Sequence, residues 1–103
     1  MQKFSIKIDI EALEDIQKTT DWYNSVKNGL GAKFQKQVVS QISHLTKNPY
    51  LFSVRYESNR FFLIKKFPFF FFFSVDEENF VIEISAIFHT RRNPQIWLES
   101  KKK

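Results

Sequence analysis

The chain has no cysteine and only two histidines, His44 and His89. The first absence excludes a disulfide framework and a thiolate metal site. The second leaves too few ligands for a dedicated zinc site, so neither a metal nor another cofactor is expected. Long hydrophobic runs are also missing. The longest, Phe67–Phe73, has seven residues with Pro68 inside it, against the ~20 that a membrane-spanning helix needs. The opening MQKFSIKIDIEALED has no apolar h-region and does not read as a secretory signal. Without a signal, a span or a cysteine, the expected compartment is the cytoplasm, with no membrane partner.

What is present points to a packed core. The 103 residues are expected to form one domain, 1–103. Apolar residues make up 43%, including 13 Phe and 2 Trp, which excludes a disordered chain. Net charge is +5 and the isoelectric point about 9.6. That balance suits an anionic partner, nucleic acid or an acidic protein, or simply a basic solvated surface. It is not confined to one block: residues 1–50 hold 7 Lys against 5 acids, and residues 51–103 hold 9 Lys/Arg against 6 acids.

Along the chain the hydrophobic period changes. Phe4, Ile6 and Ile8 alternate with polar residues, which predicts a half-buried strand over 3–8. Asp9 is a suitable N-cap. Ile10, Leu13, Ile16, Thr20, Tyr23 and Val26 then recur at helical spacing, with Glu11, Glu14 and Asp15 where the helix dipole favours acids. Asn28-Gly29 ends this helix. Leu30, Phe34, Val38, Ile42 and Leu45 form a second stripe, with Val39 beside it, and Asn48-Pro49 stops it. The short link makes the pair an antiparallel helical hairpin. Strands are predicted over 53–57, 60–66, 69–75 and 80–89, with turns at Ser58-Asn59, Pro68 and 76–79, and a short helical turn after Asn93. The fold class is therefore α+β, in the order β-α-α-β-β-β. The sheet is mainly antiparallel, with three or more consecutive strands and both helices on one face.

Strict alternation in 80–89 turns Phe80, Ile82, Ile84, Ala86 and Phe88 to the helices. Val81, Glu83, Ser85, Ile87 and His89 fall on the reverse face. In 69–73 both parities are Phe, so one set, taken as Phe70 and Phe72, belongs to the reverse face. A bare aromatic face usually marks an interface; the C-terminal tail, with Ile96 and Trp97, is the alternative cover.

A chain-long series of residues then assembles in order: Ala12-Leu13-Glu14-Asp15-Ile16, Trp22-Tyr23, Gly29-Leu30-Gly31 with Phe34, Asn48-Pro49, Lys65-Lys66-Phe67-Pro68-Phe69, and His89-Thr90-Arg91-Arg92-Asn93-Pro94 with Trp97. This series resembles the ParE/RelE family of type II toxin–antitoxin toxins. The resemblance implies a toxin held inactive by a cognate antitoxin in a hetero-oligomer, with Phe70 and Phe72 as antitoxin contacts. ParE-like members poison DNA gyrase; RelE-like members cleave mRNA in the ribosome. The H-x-R-R-N-P-x-x-W ending is more similar to the ParE-like branch. Arg91, Arg92 and Trp97 are then the target-binding residues.

Metal-free RNA cleavage needs a base for the 2′-OH, cations for the phosphate and an acid for the leaving oxygen. If the chain is a nuclease, Arg60, His89 and Arg91 are its catalytic candidates, with Arg55, Glu57, Lys65 and Lys66 secondary. Histidine is the side chain suited to acid–base work at neutral pH, which makes His89 the candidate acid or base. Indole can serve as neither acid nor base, so Trp97, where a nuclease would often carry Tyr, counts against cleavage. A third reading is a relic that only binds its antitoxin.

Overall fold

A computed structural model describes residues 3–51 and 53–91 of the chain. Seven elements follow one another: β1 (Ser5–Ile8), α1 (Ile10–Val26), α2 (Leu30–Lys47), β2 (Val54–Tyr56), β3 (Asn59–Leu63), β4 (Phe69–Asp76) and β5 (Val81–His89). The expected order holds. The five strands form one sheet, β1-β5-β4-β3-β2. β2 to β5 pair antiparallel in succession, while β1 lies parallel to β5 at the other edge. Ile6 and Ile8 sit opposite Ile82 and Ile84, so the apolar faces of the first and last strands are shared.

The helical hairpin covers one face. On α2 the buried side is Gly31, Phe34, Val38, Gln41 and Leu45, close to the predicted stripe but with a glutamine in it. On α1 it is Ala12, Ile16, Thr20 and Tyr23. Ile10, Leu13 and Val26, expected inside, are exposed. Ala12 takes the place of Leu13 at the start of the stripe, while Ile16, Thr20 and Tyr23 are inside as expected. Gly31 marks the closest approach: a Cβ there would lie 2.5 Å from the Thr20 carbonyl oxygen, and the Gly31 amide donates to Asn24 Oδ1 at 2.8 Å. Gly29, with φ +88°, starts α2 rather than only ending α1.

Between helices and sheet lies an aromatic and aliphatic core that includes Phe34, Leu45, Ile64, Phe71, Phe73, Ile82 and Ile84. Each such side chain contributes about 1.5–3 kcal/mol by leaving water. Near one end Tyr23, Phe34, Phe67 and Phe69 stack edge-on or tilted, with centroids 5.2–6.3 Å apart.

One irregularity reorders the sheet faces. Phe72 pairs with Ala86, but Phe73 pairs with Ile84. Ser85 is thus an extra residue, a β-bulge that reverses the side-chain alternation beyond it. Ile82, Ile84 and Ile87 enter the helix-side core, whereas Ala86 and Phe88 join Phe70 and Phe72 on the reverse face. The expectation that every even position of β5 meets the helices is therefore corrected after Ser85. So is the placement of His89, which shares the helix side with Phe69 and Ile87.

Candidate functional site

The residues singled out for chemistry separate into two groups. The first lies at the end of the sheet where β4 begins and β5 ends. Ile64 donates its N–H to the Phe69 carbonyl, and Thr90 donates to Pro68 O at 2.8 Å. These bonds set the β3–β4 turn, with Lys65 and Lys66, against Thr90 and Arg91. Lys66 takes the left-handed conformation, φ 73°, that closes the turn. His89 packs its ring edge-on to Phe69 at 5.1 Å, and its Nδ1 accepts the Arg91 amide at 3.1 Å. A shallow concavity of about 240 Å³ beside it is lined by Asp15, Lys18, Thr19 and Ile87 among others. Trp22, exposed on α1, packs against Tyr23, which touches both Phe67 and Phe69. Three exposed cations, a half-buried histidine and an exposed tryptophan thus share one end of the molecule.

The second group is at the β2–β3 hairpin. Arg60 pairs across the strands with Arg55 and with Phe73. Its guanidinium donates to Ser53 Oγ at 3.0 Å and lies 4.8 Å from the Tyr50 ring centroid, a cation–π contact. The Tyr50 hydroxyl donates in turn to Glu77 Oε1. That bond, then burial and the Glu77 charge, raise the Tyr50 phenol above its ordinary range, with Arg60 opposing. Arg55 Nε donates to the Glu57 carbonyl at 3.0 Å, and Glu57 itself has φ 56° at the hairpin tip. A polar hollow of about 270 Å³ runs between Arg55, Glu57, Arg60, Tyr50 and Glu77.

The three candidates for RNA cleavage do not converge. Phe73, opposite Arg60, is four residues along β4 from Phe69, opposite His89, and β3 and β5 flank β4. Strand spacings then put the two backbones roughly 16 Å apart. Arg60 and His89 are both on the helix side of the sheet, at opposite ends. Lys65, Lys66 and Arg91 do gather near His89; Glu57 goes with Arg60.

The open aromatic face is corrected as well. Phe70 and Phe72 are buried at 5% and 0% exposure, clustered with Ala86 and Phe88 and flanked by Tyr56 and Phe61. Exposed apolar surface lies elsewhere, on the outer sides of both helices and, among others, at Leu51, Val54 and Leu63 around β2 and β3. Arg92, Ile96 and Trp97, and the predicted turn after Asn93, lie outside the described residues. Among the described residues no group of three or more His, Asp or Glu could hold a metal ion, and no helix is long and apolar enough to cross a membrane.

Two contributors escaped the reading of the sequence. Tyr50, just past Pro49, becomes the partner of Arg60 only when the chain folds back. Gln41 is buried on α2, and its Nε2 donates to Leu63 O at 2.9 Å while its Oε1 accepts the Lys65 amide. A polar residue at spacing 34-38-41-45 within an apolar stripe was the available signal.

Comparison with known proteins gives a consistent picture. The profile of the ParE toxin of type II toxin–antitoxin systems matches residues 6–94. Among curated proteins none matches. Solved structures resemble the chain in fold. A chromosomal ParDE toxin–antitoxin system from P. aeruginosa aligns at TM-score 0.72 and 20% identity, over 84% of this chain and 96% of that one. A mutant of E. coli toxin RelE in the free state aligns at 0.70 and 13%, over 98% and 97%. The intact E. coli RelBE toxin–antitoxin complex aligns at 0.65 and 14%, over 86% and 99%.

Proposed function

This chain belongs to the ParE toxin family of type II toxin–antitoxin systems, and we propose that it acts as a single-domain binding toxin on DNA gyrase and is neutralised by a cognate antitoxin. The separation of Arg60 from His89 carries this reading. A cleavage site must bring base, cations and acid within hydrogen-bond reach of one phosphate, and Arg60 is instead engaged by Tyr50 and Ser53. An inhibitor needs only a complementary surface. The end of the sheet bearing Lys65, Lys66, His89, Arg91 and Trp22 has the arginine and tryptophan content typical of energetically dominant interface residues. Arg92 and Trp97 are assigned to the same target-binding role from the sequence. The antitoxin partner is supported by the family and by the ParDE and RelBE assemblies that share the fold.

The competing reading, ribosome-dependent mRNA cleavage, draws on the grouping of His89 with Lys65, Lys66 and Arg91. Two assays separate the readings: purified chain with gyrase and supercoiled DNA, and purified chain with translating ribosomes and a defined mRNA. Gyrase-dependent linear DNA with intact mRNA is the expected result. Rapid mRNA cleavage with unaffected gyrase overturns the proposal. Arg91→Ala with Arg92→Ala is expected to abolish toxicity, and the change at exposed Arg91 is expected to shift stability by no more than about 0.5 kcal/mol.

A further inference from the structure

Of the asparagines in the chain, at 24, 28, 48, 59, 79 and 93, only Asn28 precedes a glycine. Asparagine is a thermolabile residue, because the next backbone nitrogen can attack its side-chain amide carbon. That attack needs an open side chain, a free N–H and little bulk on the following residue.

The link between α1 and α2 meets all three needs. Asn28 and Gly29 are both exposed. Among the described residues, neither the Asn28 side chain nor the Gly29 N–H has a hydrogen-bond partner. A Cβ placed on Gly29 would meet no atom within 4 Å, so nothing crowds the approach. The other asparagines are closed to this chemistry. Asn24 Oδ1 is held by the Gly31 amide at 2.8 Å, and the nitrogen after it, that of Ser25, lies inside α1. Asn48 and Asn93 precede prolines, which carry no N–H. Asn59 and Arg60 belong to β3, between β2 and β4. Asn79 is tied to Asp76 through its side chain and its backbone, and Phe80 follows it.

We propose that Asn28-Gly29 is a self-modification site through which the helical hairpin is altered from within. The Gly29 nitrogen bonds to Cγ of Asn28, and the Cγ–Nδ2 bond breaks. The proton of the attacking nitrogen leaves with the amide nitrogen as ammonia, and a cyclic imide remains. Water then opens the ring. Opening on one side gives aspartate; opening on the other gives isoaspartate, in which the chain runs through the side-chain carbons. Water is consumed, ammonia is released and nothing is oxidised. The site is independent of the target on which the toxin acts.

The two products differ in consequence. Both place a negative charge just before Gly29, the N-cap of α2, whose first turn holds no acid and whose cap makes no side-chain bond. A charge there suits the helix dipole. The isoaspartate also adds a backbone atom between Lys27 and Leu30, which are joined by the Leu30 N–H donating to Lys27 O at 3.0 Å. Just beyond, Gly31 has no room to shift against Thr20. The isoaspartyl chain therefore loosens the hairpin, and the aspartyl chain keeps it.

The test ages the purified full chain in mildly alkaline buffer, folded and in urea. Each asparagine is followed by peptide mapping with mass spectrometry, and isoaspartate is counted by isoaspartyl methyltransferase labelling. In the folded chain Asn28 is expected to convert at least tenfold faster than Asn24, Asn48, Asn59 or Asn79. Asn28→Ala, an exposed change that leaves Gly29 in place, should remove the isoaspartate signal. Conversion no faster than at Asn24, conversion at less than a tenth of the rate in urea, or a signal that survives Asn28→Ala would each overturn the site. The isoaspartyl fraction, separated by chromatography, is expected to unfold at a lower urea midpoint than the parent, and Asn28→Asp at an equal or higher one. An isoaspartyl fraction as stable as the parent, or an Asn28→Asp chain less stable than it, would overturn the effect on the hairpin.

Discussion

Gly31 shows how one residue can hold two helices together. Its missing side chain leaves room for the Thr20 carbonyl, and its amide meets the Asn24 side chain. In Gly31→Ala the new methyl would meet backbone, which cannot swing aside. The overpacking cost, about 1–3 kcal/mol, exceeds the ~1 kcal/mol gained in helix propensity. Net destabilisation is expected, read as a lower urea midpoint with an unchanged slope. A midpoint equal to or above that of the parent would show that the hairpin separates freely at this point. Gly31 stood in the Gly29-Leu30-Gly31 motif from which the family resemblance was drawn, but the need for glycine there is a matter of contact between α1 and α2. Gln41 is similar: its spacing was visible, and its partners, 22 and 24 residues away, were not.

At the scale of elements, type and order were legible and facing was not. Periodicity predicted both helices because an apolar stripe at 3.6 residues has one structural solution. In β4, a run of five Phe has no alternation from which to choose a face. In β5 alternation was present and misled, since Ser85 interrupts it without any signal in composition. Deleting Ser85 tests this. Ile84 lies opposite Phe73 and Ala86 opposite Phe72, so a strand without Ser85 alternates regularly and keeps Ile87 and His89 on the helix side and Phe88 on the reverse face. The deletion variant is therefore expected to stay soluble and to unfold cooperatively near the parent's midpoint. Loss of cooperative thermal unfolding and of soluble yield would show that Ser85 is not the inserted residue.

For the whole molecule the question is what the second set of phenylalanines does. Phe70 and Phe72 are inside the folded chain, so their first contribution is to stability. Phe72→Ala is expected to cost about 3–5 kcal/mol, the range for emptying a buried aromatic site, measured by denaturant unfolding of the isolated chain. A cost below ~1 kcal/mol would return Phe72 to the role of an interface residue. The basic character is divided among sites in a way that a net charge of +5 does not reveal: Arg60 is tied to Tyr50 and Ser53, Lys47 and Lys65 line a groove between α2 and β3, and Lys66 and Arg91 crowd one end of the sheet.

The amino-acid sequence by itself determined the succession of elements, the helical hairpin, the α+β class and the family pattern. Each of these follows from local periodicity, from capping and stop residues, or from motifs read in order. Only the tertiary structure decided which face His89 takes, that Arg60 and His89 stand at opposite ends, and that Gln41 occupies the edge of β3. Those outcomes depend on strand order, on a one-residue bulge and on contacts between distant segments, and hydrophobic alternation along the chain encodes none of them.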